Sequence, residues 1–276
     1  MASPITQGWI YATVPIDNPQ GESGTGFFVS RVTDAPDGRV FLVTNKHVVN
    51  RDTSKLSSVP HIVCHFNTKD STGAPGVKSG EIPLVNPVGT KRYREHPDPD
   101  TDVVAFDVTD VIALNPDLER RWVEESLVAD ANMRAALDIT VGEDILIIGY
   151  PLGLRQGESN FPLVRQGLIA TKIGTLLKDQ VQTASGGVRS RSLRAFLFDG
   201  ASVPGSSGSP ILLKPVIGRL RNGMIELQPA PTVLLGIVAE TRYAPVALGS
   251  GFIPGFAGLG LAFEAETIRE TIDLFF

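Results

Sequence analysis

Three residues far apart in this sequence have side chains that together could cut an acyl bond: a histidine, an aspartate and a glycine-flanked serine. The serine lies in Gly205-Ser-Ser-Gly-Ser-Pro210, between the strand-like apolar runs 193–198 and 211–213. A serine hydroxyl is a poor nucleophile near neutral pH until a base removes its proton. Imidazole, with an unperturbed pKa of about 6.5, can do so. His47 follows the strand-like run 39–44, and Asp102 opens the apolar run 103–106. A carboxylate in that role fixes the imidazole tautomer and stabilises its charged form. Glycine two places before a nucleophile lets the backbone turn so that two N–H groups face one developing oxyanion.

Each residue also has a plainer reading. A Ser/Gly loop can be a flexible hairpin, and a strand-end histidine can simply be hydrogen-bonded. Ser206 and Ser209 are alternative nucleophiles, although the offset from Gly205 and the presence of Gly208 favour Ser207. Asp98 and Asp100 compete with Asp102, which alone is followed directly by the buried run; Asp107 lies too far along it. The order His, Asp, Ser excludes the α/β-hydrolase arrangement, and the loop lacks the G-x-S-x-G pattern of that fold. Gly21–Gly26 could be mistaken for a phosphate loop, but Phe27-Phe-Val29 continues it as a strand, not a helix. His61, Cys64 and His65 invite a metal reading. In a strand the two histidines share a face about 13 Å apart, and Cys64 faces away, so one ion cannot collect them. No metal ligand set and no cofactor are expected.

Short apolar runs separated by turns must position these residues. Strands are expected at 8–16, 24–30, 39–44, 61–66, 81–85, 102–108, 144–149, 163–171, 193–198, 211–213, 232–239 and 258–263. Turns are expected at 18–24 and at Ala35-Pro-Asp-Gly38. Asn115-Pro-Asp-Leu118 reads as a helix start, with Asn115 as cap and Leu118, Trp122 and Leu127 as an apolar face. Ile268, Ile272 and Phe275 share one face of a C-terminal helix.

The 276 residues suffice for one large or two small domains, and 28 glycines with 20 prolines suit an all-β chain rich in turns. A net charge of −5 argues against a nucleic-acid partner, which usually meets a basic stripe. One cysteine, Cys64, permits no internal disulfide. The first residues lack a basic region followed by an apolar run, and no stretch approaches a membrane span. The expectation is a cytoplasmic protein with no membrane contact.

Thr44-Asn-Lys-His-Val-Val49, Asp102-Val-Val-Ala-Phe106 and Gly205-Ser-Ser-Gly-Ser-Pro210 resemble the three signature segments of chymotrypsin-fold, trypsin-like serine peptidases. Gly149-Tyr-Pro-Leu-Gly153, Gln166-Gly-Leu-Ile-Ala170 and Gly258-Leu-Gly-Leu-Ala-Phe263 are similar to the HtrA-like bacterial branch. The resemblance covers roughly residues 8–276. It implies two six-stranded antiparallel β-barrels with a cleft between them and a C-terminal helix. The implied division is 1–111 for the first barrel, 112–138 for the connection, 139–263 for the second barrel and 264–276 for the helix. It implies a serine endopeptidase: Ser207 as nucleophile, His47 as base and then acid, Asp102 as orienter, and the N–H groups of Gly205 and Ser207 as oxyanion hole. The rival reading is a silent or partner-activated peptidase-fold module that binds peptides. A protein or peptide substrate is implied either way, with a regulatory protein as the further partner.

Two departures are visible. Trypsin has an acid before the nucleophile that pairs with a newly cut amino terminus; here that position is Ser206. HtrA-like proteases continue into a PDZ domain, for which no residues remain after the helix. The resemblance places the primary substrate pocket at Ala201, Ser202 and Val203, with Ala239, Glu240, Thr241 and Leu259 as its other walls. With no acid at Ala201, and Thr241 and Leu259 where glycines are frequent, the pocket is expected to be shallow and to prefer small or medium aliphatic residues. Arg242 keeps an acidic preference as the alternative.

Overall fold

The computed structural model describes residues 4–33, 38–69, 75–119, 121–156, 160–182, 186–216, 219–221, 224–226, 232–248 and 251–276. The first part holds helix α1 (Pro4–Ala12), then strands β1 (Thr13–Asp17), β2 (Ser23–Arg31) and β3 (Arg39–Thr44). After the short helix α2 (Lys46–Val49) come β4 (His61–Lys69), β5 (Pro75–Pro83), β6 (Tyr93–Glu95) and β7 (Val104–Asp107). Helix α3 (Thr109–Ala113), strand β8 (Val123–Glu124) and helix α4 (Ala131–Ala136) lead to the second part. That part contains β9 (Asp144–Gly149), β10 (Leu163–Ile169), β11 (Leu177–Gln182), β12 (Val188–Leu193), β13 (Ala195–Asp199) and β14 (Pro210–Leu213). It continues through β15 (Arg219–Arg221), β16 (Met224–Glu226), β17 (Leu234–Leu248) and β18 (Gly251–Glu264) to helix α5 (Ala265–Asp273).

The second part closes into the expected barrel, β10-β13-β18-β17-β14-β9. The first does not close. It is an eight-stranded curled sheet in the order β5-β4-β1-β2-β3-β7-β6, with β8 parallel to β2 off that path. Its two ends meet only past the strands, where Arg92 N–H donates to the Leu84 carbonyl at 2.9 Å and Val85 bridges Lys91.

Strand alternation builds three cores at once. Phe28, Val40, Leu42, Val104 and Phe106 point into the first sheet's own core. Their neighbours Phe27, Val29, Phe41, Val43 and Ala105 point out of it into a core shared with the barrel. The barrel repeats the scheme: Ile145, Ile147, Phe196, Phe198 and Ile211 face inward, while Ile148, Ala195 and Leu212 face the shared core. A period of two along each strand has this consequence when both faces are covered. In β17 the parity changes. Leu235 faces the barrel interior but Ile237 faces the shared core, across a register shift opposite Ile211 and Leu212. One extra residue in a strand flips those that follow it, and a second register shift, against β18, falls at Ala239, which also faces the shared core.

Two local expectations are corrected. Residues 8–12, read as strand, form the end of α1, where Trp9 packs into the shared core against Phe27, ring centroids 6.2 Å apart. No helix starts at Asn115. Its amide donates to the Val111 carbonyl at 2.8 Å, so Asn115 ends α3 instead of opening a new helix. Leu118 and Trp122 then serve the first sheet's core, and Leu127 the shared one, so they share no helical face. The turn expected at Ala35–Gly38 falls largely on 35–37, outside the described residues. The C-terminal helix is present, and Ile268 and Ile272 are buried in the shared core with Phe275 packed against it. No helix among the described residues is long and apolar enough to cross a membrane.

Candidate active site

His47 is carried by α2, directly after β3, and Asp102 enters from the segment before β7, the strand paired with β3. The two side chains meet: His47 Nδ1 and Asp102 Oδ2 are hydrogen-bonded. Asp102 Oδ1 also accepts the backbone N–H of His47 at 3.2 Å, and Asn45 Nδ2 donates to the Asp102 carbonyl at 2.7 Å. Asp102 is thus held by backbone and side chain together. The competing acids are engaged elsewhere. Asp98 shapes its own turn, accepting the Asp100 N–H at 3.0 Å; Asp100 pairs with Arg189, and Asp107 with Arg39. The Lys46 ammonium, buried beneath the site, donates to the His96 and Asp98 carbonyls at 3.3 and 3.4 Å and pins the approach to Asp102. Burial pushes that ammonium below its ordinary pKa. Burial also disfavours the charged form of His47, but Asp102, by charge and hydrogen bond, outweighs it with help from Glu240 and Glu22. The net result is a His47 pKa above the ordinary histidine value.

The serine loop docks onto the first sheet. Thr25 N–H donates to the Ser207 carbonyl at 2.8 Å, and Thr25 Oγ1 donates to the Gly205 carbonyl at 2.9 Å. Thr25 Oγ1 in turn accepts the Tyr150 N–H at 3.1 Å. One buried threonine in β2 therefore joins both halves of the site. Gly208 must be glycine here: its φ is +85°, and a Cβ would stand 1.8 Å from the Thr25 carbonyl oxygen. Gly205 has φ +86°, with the Tyr150 carbonyl 2.4 Å from any added Cβ. Leu152 adopts φ +56°, unusual for a leucine, and in that posture its N–H donates to the Pro204 carbonyl at 2.7 Å. In a trans peptide the N–H points opposite the C=O. Fixing the Pro204 carbonyl on Leu152 therefore turns the Gly205 N–H away from the Tyr150–Gly153 turn. Among the described residues no protein group accepts the N–H of Gly205 or of Ser207.

The three serines separate cleanly. Ser206 Oγ is buried and accepts from Val203 N–H and from Arg165. Ser209 is buried against Gly149, where a Cβ would meet its Oγ at 1.9 Å. Only Ser207 shares a cavity with His47. That cavity, of about 380 Å³, is lined by Glu22, Ser23, His47, Val48, Arg51, Leu152, Pro204, Gly205 and Ser207. Ser207 Oγ donates to the Ala239 carbonyl at 3.3 Å and not to the imidazole. Serine has one heavy-atom torsion, so its hydroxyl changes partner by rotation about χ1 alone.

None of the seven expected pocket residues lines this cavity. Ser202 is buried, and its hydroxyl is 3.1 Å from Thr241 Oγ1, which also donates to the Ser202 carbonyl at 3.1 Å. These two residues join the segments expected to form opposite walls of the pocket. Ala201 is exposed, Val203 and Leu259 are half-buried, and Ala239 is buried. Glu240 is drawn to Arg191 at 2.7 Å, and Arg242 is neutralised by Asp179 at 2.9 Å and Glu240 at 3.3 Å. The sequence reading missed Glu22, Ser23, Arg51 and Leu152. Glu22 and Arg51 form an ion pair at 2.6 Å across the cavity rim. It also missed Thr25 and Arg165; the glycines on either side of Thr25 were the available signal. No group of His, Cys, Asp and Glu among the described residues could hold a metal; His61 and His65 face Glu81 and Asp17 instead.

A family model described as a trypsin-like peptidase domain matches residues 24–215. No curated protein sequence matches. Among solved structures, Deg5 aligns over 98% of this chain and 90% of its own, at 18% identity and a TM-score of 0.52. The active form of the Rv3671c protease from M. tuberculosis aligns over 98% and 83%, at 18% identity and a TM-score of 0.49. An HtrA-type protease, AlgW, with a tripeptide aligns over 98% and 61%, at 16% identity and a TM-score of 0.44. At 18% identity the likeness to Deg5 is one of fold.

Proposed function

The chain belongs to the trypsin-like peptidase domain family, and from that premise we propose that it is a serine endopeptidase working through an acyl-enzyme on Ser207. The observation that carries this reading is the His47–Asp102 hydrogen bond beside a cavity that His47, Gly205 and Ser207 line together. In the proposed cycle Ser207 Oγ attacks the scissile carbonyl carbon while His47 Nε2 takes its proton. The carbonyl oxygen gains the negative charge and is met by the unengaged N–H groups of Gly205 and Ser207. The C–N bond then breaks, His47 returns the proton to the leaving amine, and water repeats the sequence to free Ser207. Asp102 keeps the Nδ1 proton on its own side and stabilises the imidazolium. No step calls on a cofactor or a metal.

The bond between Ser202 and Thr241, and the neutralised Arg242, support a shallow pocket without free charge. The substrate class we propose is therefore a protein or peptide with a small or medium aliphatic residue before the cut. Discrimination should be only about 10- to 200-fold per methylene. One observation favours a second reading, a module that turns over only when a partner or substrate reorders the loop: Ser207 Oγ rests on Ala239. A fluorophosphonate probe decides between them. Labelling of Ser207 in the isolated protein, with loss of labelling in Ser207→Ala, supports the constitutive peptidase. A protein labelled only after a partner is added supports the second reading, and one never labelled sinks both.

A further inference from the structure

Arg165 has no part in the mechanism above, yet its side chain reaches across to the loop that carries the nucleophile. It lies in β10, registered against Ile147 of β9 in the closed barrel. One terminal nitrogen donates to the Ala201 carbonyl, and the other donates to Ser206 Oγ at 3.1 Å. Among the described residues no carboxylate pairs with it. Its Nε is buried without a partner. Burial alone acts on it, pushing the guanidinium below its ordinary pKa. A cation without a counter-ion, half-buried as this one is, is costly unless its hydrogen bonds are firm, and charge-assisted bonds are the strong ones. Both of the acceptors here belong to one loop.

Resting on the proposed function, we propose that Arg165 is the positioning residue that holds the 201–207 loop in its working shape, so that the oxyanion site is assembled without a newly cut amino terminus. The geometry shows how. Arg165 grips the loop at Ala201, where it leaves β13, and at Ser206, between the two proposed oxyanion donors. Ser206 Oγ passes the constraint on by accepting the Val203 N–H at 3.3 Å, while the Ser206 N–H donates to the Val203 carbonyl at 2.9 Å. The loop is thereby folded on itself and tied to a strand of the barrel. Where a trypsin-like acid would await an external ammonium, this chain has a neutral hydroxyl, and the cation comes from its own β10. A guanidinium stays charged throughout the pH range in which His47 titrates, so the clamp does not switch with pH.

The test pairs kinetics with amide hydrogen exchange in the full chain, comparing wild type with Arg165→Met and Arg165→Lys. Arg165→Met keeps the bulk of the side chain and removes both donors. Its kcat should fall on the order of 100-fold, the scale of losing an oxyanion donor. The pH midpoint set by His47 should stay put, and exchange at 202–207 should quicken. Arg165→Lys keeps the charge but cannot span both acceptors, and should lie between the two; it also serves if Arg165→Met does not fold. A purely structural arginine would lower thermal stability and leave kcat of the folded fraction and loop exchange unchanged, and that result overturns the proposal. If the wild type turns nothing over, the peptidase reading fails, while faster exchange in the variants still supports the clamp. If the wild type is active and both variants match it in kcat and exchange, the clamp fails and the peptidase reading stands.

Discussion

At the scale of single residues the site works as a unit, so its losses should not add. Ser207→Ala and His47→Ala should each lower kcat by roughly 10⁴- to 10⁶-fold, and Asp102→Asn by about 10⁴-fold. The double variant Ser207→Ala/His47→Ala should be no worse than either alone; multiplicative losses in steady-state kinetics would refute a shared unit. The pH profile follows from the raised His47 pKa. Only neutral imidazole accepts the serine proton, so activity should rise with pH through a midpoint above about 6.5. The stability contribution has the opposite sign. A raised folded-state pKa stabilises fully below the unfolded value and is lost as pH climbs through the folded one. Activity should therefore grow over the same pH window in which this contribution fades. A kcat/KM midpoint below that of free histidine would contradict the assignment.

Among the residues, the triad was the most readable part, because a nucleophile, a base and an acid are of unlike type and each stood at the edge of an apolar run. Arg165 and Thr25 could not be read the same way. An arginine in a strand and a threonine between two glycines acquire their roles only from what lies across the cleft, and sequence neighbours say nothing of that. The helix misread at Asn115 has the same origin: its cap-like side chain bonds backwards to Val111.

At the scale of elements, the strand that matters most for the site is β2, which carries neither nucleophile nor base. Its Thr25 binds the Gly205 and Ser207 carbonyls and the Tyr150 N–H. Thr25→Val keeps the shape and removes the hydroxyl, leaving the Gly205 carbonyl and the Tyr150 N–H buried without that partner. Each such unmade bond costs about 1–3 kcal/mol. One contact sits on the oxyanion turn and the other on the Tyr150–Gly153 turn that bonds to it through Leu152 and Pro204, so kcat should fall together with urea stability. A variant of unchanged stability and unchanged kcat would show that β2 is not what seats the turn. Apolar runs made most strands visible in advance. They could not show that residues 8–12 coil, since Gly8-Trp-Ile-Tyr-Ala12 suits either conformation until Trp9 finds the shared core.

At the scale of the whole molecule, the shared core decides whether the halves can exist apart. It takes Phe27, Phe41 and Val43 from the first sheet and Ile148, Leu212 and Phe263 from the barrel. Helices at both ends of the chain close it, through Trp9 of α1 and through Ile268 and Ile272 of α5. Each sheet is apolar on its outer face, so separation would expose two hydrophobic surfaces. Ion pairs stitch the same seam: Arg31 binds Glu125 and Asp273, and Arg189 binds Asp100. These exposed or half-exposed pairs count for little beside the apolar burial. The chain should therefore unfold in urea as one transition, followed identically by tryptophan fluorescence and by far-ultraviolet circular dichroism. Ile268→Ala empties a site in the shared core and should cost about 2–5 kcal/mol. Since α5 closes that core for both sheets, the loss should move the single midpoint without splitting it. Two resolved transitions in that variant, one of them at the wild-type midpoint, would mean that one half holds its outer face covered without α5.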